Sequence, residues 1–195
     1  ATISNGSFHN LPNQMNVDDA KLVMDISTDN SQITGTATVY GAPSEFSLEI
    51  DHQKHHVELV GQTPPSALLA SAIAKIFNLD IAGSIGGKIV YSGDPSMGEA
   101  KIGMTVDLGS ASINVPKLNW AKLPAEDGRA TMTILLRKGE VVSLQNIDVA
   151  AGSLSAQGQI AFDTTAKIQA AFFELSLIHI SEPTRPLYTP YAVFC

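Results

Sequence analysis

Apolar side chains recur at every second position through most of the chain. The sets are Leu22, Met24 and Ile26; Phe46, Leu48 and Ile50; Val57 and Leu59; Ile89 and Tyr91; Ile102, Met104 and Val106; and Ile113 and Val115. Later sets are Met132, Ile134 and Leu136; Val142 and Leu144; Ile147 and Val149; and Ile160, Phe162 and Ile168. Alternation of this kind puts one set of side chains on one face of a strand and their neighbours on the other. Turn-forming residues separate the sets at Asp29-Asn30-Ser31, Gly41-Ala42-Pro43-Ser44, His52-Gln53-Lys54, Gly93-Asp94-Pro95, Glu126-Asp127-Gly128 and Lys138-Gly139-Glu140. Each tolerates positive φ or lets a short side chain bond its own backbone, so the strands are predicted to meander hairpin by hairpin.

One segment breaks the period. In Pro64–Leu79 the residues Leu68, Leu69, Ala72, Ile73, Ile76 and Phe77 fall on a single helical face, with Thr63 placed to cap the start and Asn78 near the end. This predicts one short amphipathic helix near 64–79, read as a lid on the sheet's apolar face. A membrane-surface helix is the other reading, weakened by Lys75 being its only cation. Glycine recurs inside strand-like runs, as in Ser31–Ala37, Ile81–Ile89 and Gly152–Asp163, and glycine within a strand marks a bulge or bend. The expected fold is all-β: an elongated, curved, mostly antiparallel sheet forming an open β-groove.

Composition narrows the function. The 195 residues carry a formal charge of −7 with no basic cluster, which argues against nucleic acid as a partner. No run approaches the roughly 20 apolar residues of a membrane span, and the chain opens on Ala1, so any anchoring segment is expected to lie upstream. From Leu175 the text changes: Leu175-Ser176-Leu177-Ile178-His179-Ile180-Ser181-Glu182-Pro183-Thr184-Arg185 resembles a translated transposase-type sequencing adapter, and Tyr191–Cys195 is similar to its far end. Residues 175–195 are therefore set apart as an artefactual tail, expected to be disordered, and residues 1–174 are expected to be a fragment incomplete at both ends. Setting the tail aside removes the single cysteine, and with it any disulfide, thiolate ligand or thiol nucleophile.

No catalytic constellation stands out. Gly87-Lys88 lacks the leading glycine of a phosphate-binding loop, with Ala82 in its place, and Ile89 stands where a magnesium-binding hydroxyl would be. Asp51-His52-Gln53-Lys54-His55-His56 has the ligands for a divalent metal, but consecutive His55 and His56 point to opposite faces of a strand, and a solvated hairpin turn beginning with Asp51 accounts for the segment without metal. The acidic pairs Asp18/Asp19 and Glu126/Asp127 sit beside turns as solvated surface. Asn5-Gly6-Ser7 matches a glycosylation acceptor that matters only in a eukaryotic secretory setting. Trp120, the only tryptophan, is either an indole covering a sheet edge with its N–H bonded or an apolar contact in a ligand channel. Neither an enzyme activity nor a metal or other cofactor is expected.

Several stretches together carry a family likeness. Val106-Asp107-Leu108-Gly109-Ser110-Ala111-Ser112-Ile113, Val115-Pro116-Lys117-Leu118-Asn119-Trp120-Ala121-Lys122 and Asp127-Gly128-Arg129-Ala130 resemble the central region of the large AsmA-like bacterial envelope proteins, especially their YhdP branch. Val149–Asp163 is similar to their repeat, and Gly6-Ser7-Phe8, Leu11-Pro12 and Val17-Asp18-Asp19-Ala20 to the start of the module. Ala125-Glu126 departs from the family where a glycine is usual. The resemblance implies a periplasmic β-groove, anchored in the inner membrane by a segment absent here and conducting phospholipid toward the outer membrane. Its partners would be phospholipid acyl chains and the two membranes.

On that reading the groove is lined by Leu22, Met24, Ile26, Leu48, Ile50, Val57, Leu59, Ile102, Met104, Val106, Met132, Ile134, Leu136, Ile160 and Phe162. Leu68, Leu69, Ile73, Ile76 and Phe77 form the helix lid. The flexible thioethers of Met24, Met104 and Met132 suit chains of varied shape. The competing reading is a structural or adhesive β-sandwich or solenoid module of an envelope or surface protein, in which the same residues pack together and no ligand enters. A groove leaves an apolar stripe uncovered, whereas a sandwich covers it with a second sheet.

Overall fold

The computed structural model describes residues 1–11, 15–77, 79–94, 96–163, 165 and 167–177. Pro12, Asn78, Pro95 and the tail from Ile178 to Cys195 lie outside the described residues, as do the side chains of Phe8, Ile76, Phe77 and Lys117. The strands are β1 (Thr2–Leu11), β2 (Met15–Ile26), β3 (Asn30–Val39), β4 (Ala42–Asp51), β5 (His56–Ser66), β6 (Asp80–Gly83) and β7 (Ile85–Asp94). They continue as β8 (Glu99–Asp107), β9 (Ala111–Val115), β10 (Trp120–Lys122), β11 (Gly128–Arg137), β12 (Glu140–Ala151), β13 (Leu154–Phe162) and β14 (Ile168–Leu177). Among the described residues a single α-helix, α1 (Ala67–Phe77), follows β5, and a short 3-10 turn (Pro116–Leu118) follows β9.

Eleven strands form one antiparallel sheet in the order β1-β2-β3-β4-β5-β7-β8-β11-β12-β13-β14. The sheet is curved but not closed into a barrel, as expected from the glycines within the strand-like runs. Two insertions interrupt the meander. One, between β5 and β7, contributes α1 and β6; the other, between β8 and β11, contributes β9 and β10. The inserted strands pair as a second sheet of three, β10-β9-β6. Ile113 and Val115, which share the period of the main strands, therefore belong to this small sheet.

Two hairpins turn on Tyr40-Gly41 and Lys138-Gly139, all four residues at positive φ. That geometry matches the twist of the flanking strands, and glycine at the second position adopts it without a Cβ clash. The β3–β4 turn thus comes at Tyr40-Gly41, while Ala42, Pro43 and Ser44, expected in the turn, already pair with Val39, Thr38 and Ala37.

Three non-glycine residues at positive φ, Asn5, Asp19 and Asn146, lie where the strand register shifts. Each is an extra residue that restores the phase of the alternation. Leu144 pairs with Ile160 and, beyond the shift, Ile147 with Gly158, so odd- and even-numbered apolar residues of β12 reach the same face. Asn and Asp occupy this left-handed region at lower cost than other side-chain-bearing residues.

The helix is shorter than predicted. Pro64 and Pro65 remain in the extended end of β5, because a residue preceding proline is pushed away from helical ψ. The cap is Ser66 rather than Thr63: its Oγ accepts from the N–H groups of Leu68 at 3.2 Å and Leu69 at 3.3 Å. Thr63 instead shares a 2.8 Å hydrogen bond with Ser44 across β4 and β5.

The core lies at one end of the main strands. Ile85 and Ala151 of the large sheet and Leu108, just past β8, pack with Ala70 of α1 and with Ala111, Ile113 and Trp120 of the small sheet. Half-buried Leu69, Ile73, Ile81, Val149, Leu154 and Leu177 complete it. The tail expected to begin at Leu175 is not set off by a break in pairing: Leu175, Ser176 and Leu177 pair with Ala156, Ser155 and Leu154. Leu-Ser-Leu has the same two-residue period as the strand before it, so it extends that strand.

Candidate functional site

The register of the large sheet assembles the candidate site. Directly paired residues share a face, so a chain of pairs traces a row across the sheet. One such row runs Met24, Ile33, Leu48, Leu59, Tyr91, Ile102, Ile134, Leu144, Ile160, Ala171, one residue from each of ten strands. Beside it a second runs Ile3, Leu22, Gly35, Phe46, Gly61, Ile89, Met104, Met132. No ionisable side chain other than the Tyr91 phenol interrupts either row.

Among the described residues no further layer buries these side chains. Met24, Leu48, Ile102, Met104, Met132, Ile134 and Ile160 are half-buried, and Leu59 and Ile89 are 37% and 45% exposed. Ten strands abreast at about 4.8 Å, with rows about 7 Å apart, give an uncovered apolar band on the order of 600 Å², the top of the range for patches on monomers.

The predicted lining residues fall into three groups. Leu22, Met24, Leu48, Leu59, Ile102, Met104, Met132, Ile134 and Ile160 lie in the two central rows. Ile26, Ile50, Val57 and Leu136 form the next row toward the hairpin turns, where Ile50 pairs with Val57 and Ile26 is 67% exposed. Phe162, half-buried, pairs with Ile168 beyond a register shift. Val106 belongs elsewhere: it packs against the core under the small sheet. The helix contributes Leu69 and Ile73 to that core, while Leu68 is 58% exposed and lies over Gly41. The helix therefore covers the strand ends together with the small sheet and leaves the central rows open.

Four members of the main row, Ile33, Tyr91, Leu144 and Ala171, were not among the predicted lining residues. For Ile33 the usable signal was on the opposite face, where Gln32, Thr34, Thr36 and Thr38 alternate with Ser31, Ile33, Gly35 and Ala37. A strand whose inward residues are mostly small shows little apolar periodicity of its own.

The covered end contains a residue with no counterpart in the sequence reading. Lys122 is 1% exposed, and its Nζ donates to the carbonyls of Ala111 at 2.9 Å, Leu123 at 3.0 Å and Gly109 at 3.3 Å. An ammonium has three donors, so three acceptors satisfy it fully. Its side chain passes over Gly128, where an added Cβ would lie 2.5 Å from Lys122 Cε and 2.8 Å from Leu108 Cβ. Trp120 is 7% exposed in the core, with Nε1 buried and unpartnered among the described residues. Its N–H is thus not bonded as a sheet-edge indole's would be. Burying an indole contributes about 4–6 kcal/mol by area, more than the 1–3 kcal/mol an unpaired donor costs, so packing decides its position.

The opposite end of the strands carries polar hairpins. Asp51 accepts from the backbone N–H groups of Gln53 and Lys54 and forms a 3.0 Å ion pair with Lys54. His52 Nε2 and Ser31 Oγ lie 2.9 Å apart, and Asp94 accepts from Ser96 N and Oγ at 2.7 and 2.6 Å. The Lys54 backbone N–H, then its ammonium, hold the Asp51 carboxyl below the usual carboxylate range. The Ser96 hydroxyl lowers Asp94 in the same way, and the Thr165 hydroxyl lowers Asp163. Among the described residues no group of three or more His, Cys, Asp or Glu gathers as a metal site, and no helix is long and apolar enough to cross a membrane. Family models, curated proteins and solved structures yield no match to this chain.

Proposed function

We propose that the chain is a non-enzymatic segment of a bridge-like lipid-transfer protein of the AsmA-like kind, conducting phospholipid across the periplasm with acyl chains held against the uncovered rows. The observation that carries this reading is the unbroken apolar row from Met24 to Ala171 on a face that the second sheet covers only at one end. At about 0.8 kcal/mol per methylene, an acyl chain of about 15 methylenes loses on the order of 12 kcal/mol on entering water. A continuous apolar surface removes most of that barrier.

The test is photo-crosslinking of a diazirine-bearing phospholipid to the purified chain. Ile134→Asp or Met104→Asp places a charge in the rows and is expected to abolish crosslinking. Thr133→Asp, the next residue on the other face of the same strand, is expected to leave it unchanged. Equal crosslinking in all three variants would sink the proposal, and no crosslinking of the unsubstituted chain would favour a ligand-free structural module.

A further inference from the structure

Asn5 is the only asparagine in the sequence that glycine follows. It is exposed, at φ 59°, on β1, the outermost strand of the large sheet. The pairing of β1 with β2 shifts register between Ile3 and Gly6, between Gly6 and Phe8, and between Phe8 and Leu11. A strand paired on one side only, through a ladder interrupted that often, opens locally at little cost.

The fold makes no demand for glycine at position 6. Gly6 is not among the residues at positive φ, and a Cβ added there would meet Ala20 Cβ at 3.6 Å and Ile3 Cγ2 at 3.7 Å, both ordinary contacts. What the glycine supplies is an unhindered backbone nitrogen next in the chain to the Asn5 side-chain amide. A nucleophile held that close to its target carbon needs no encounter with it.

We propose that Asn5-Gly6 is a site of spontaneous covalent modification, with water as the co-reactant, and that its reaction loosens β1 from β2. The Gly6 nitrogen, its proton taken by hydroxide, attacks Asn5 Cγ. The new C–N bond forms as the Cγ–Nδ2 bond breaks, and the leaving nitrogen takes a proton from water and departs as ammonia. Water then opens the cyclic succinimide. Addition at Cγ breaks the new bond and gives aspartate. Addition at the Asn5 backbone carbonyl carbon breaks the original peptide bond and gives isoaspartate, whose main chain runs through Cβ and Cγ and is longer by a carbon. Nothing is oxidised or reduced.

Asn5 is the extra residue that brings Ile3 opposite Leu22 and Thr2 opposite Val23. A main chain lengthened at that point puts the start of β1 out of register, together with the 2.7 Å bond from the Ala1 ammonium to the Met24 carbonyl. Asn146 is the reference within the same chain. It too is exposed, at positive φ and at a register shift, but the branched Ile147 follows it and β12 is paired on both sides.

The experiment ages the folded 195-residue protein at mildly alkaline pH and maps its peptides over time by mass spectrometry with electron-transfer fragmentation, which separates isoaspartate from aspartate. Asn5 is expected to lose its amide about tenfold faster than Asn146, with isoaspartate the larger product. Gly6→Ala, which the packing accommodates, is expected to slow the loss about tenfold. Hydrogen exchange of the aged protein is expected to be about tenfold faster in β1 and unchanged in β12. Loss at Asn5 no faster than at Asn146, or as fast in Gly6→Ala as in the unsubstituted protein, would overturn the site. Unchanged exchange of β1 after conversion would overturn the loosening. The Asn146 comparison is made within one chain and so holds whatever Gly6→Ala does to stability.

Discussion

Lys122 shows how a charged residue becomes a structural pin. Buried lysines are costly unless every donor is satisfied, and here three backbone carbonyls, two of them at the β8–β9 turn and the start of β9, take all three protons. Lys122→Met keeps the stem but removes the ammonium that ties the Gly109, Ala111 and Leu123 carbonyls together, and is expected to cost about 2–4 kcal/mol in urea unfolding. Gly128→Ala, which crowds the same stem, is expected to cost about 1–3 kcal/mol. At the other end of the strands Asp51, Asp94 and Asp163 have lowered pKa values, each from hydrogen bonds within its own turn. A carboxyl whose folded pKa lies below its unfolded value adds stability above the unfolded pKa and loses it as pH falls through the folded one. These turns are therefore expected to hold at neutral pH and to loosen only in strong acid. Carbon-detected NMR titration of the three carboxyls checks this: midpoints at or above the usual aspartate value would contradict it.

Among the elements, the helix illustrates what a local reading captures and what it mistakes. Its apolar spacing was legible, and Leu69 and Ile73 do face the core. Its start was not, because two prolines in sequence extend β5 and hand the capping position to Ser66. Ser66→Ala is expected to cost about 1 kcal/mol in thermal unfolding through loss of the cap. Thr63→Ala, by contrast, should leave the helical circular dichroism unchanged and affect only the contact to Ser44. A larger helix loss from Thr63→Ala than from Ser66→Ala would contradict this assignment. The strand bulges tell a similar story: Asn5, Asp19 and Asn146 look like ordinary polar residues in the sequence, yet each keeps the apolar set in phase across a register shift.

For the whole molecule, the decisive feature is that cover is partial. The small sheet and α1 bury the strand ends around Ile85, Leu108 and Ala151 and leave the rows through Ile134 and Met104 half-exposed. Apolar burial is the main source of stability against opening, so amide exchange is expected to be slowest along the roofed margin and faster toward the hairpins at residues 51–56 and 94–99. Native-state hydrogen exchange read by mass spectrometry checks this; uniform protection from one margin to the other would indicate a covering layer over the central rows.

The sequence by itself determined the strand periodicity, the hairpin meander and the existence of one helix, because alternation and turn chemistry are local and the backbone obeys them residue by residue. It determined too that one face of the sheet would be apolar. Only the tertiary structure decided how far that face is covered. Ile113 and Ile134 have the same local pattern, yet one is 8% exposed beneath the large sheet and the other stands in the open rows. The difference arises from where the two insertions fold back, which is set by long-range packing around Trp120, Lys122 and Ala70 and leaves no trace in the period of the strands.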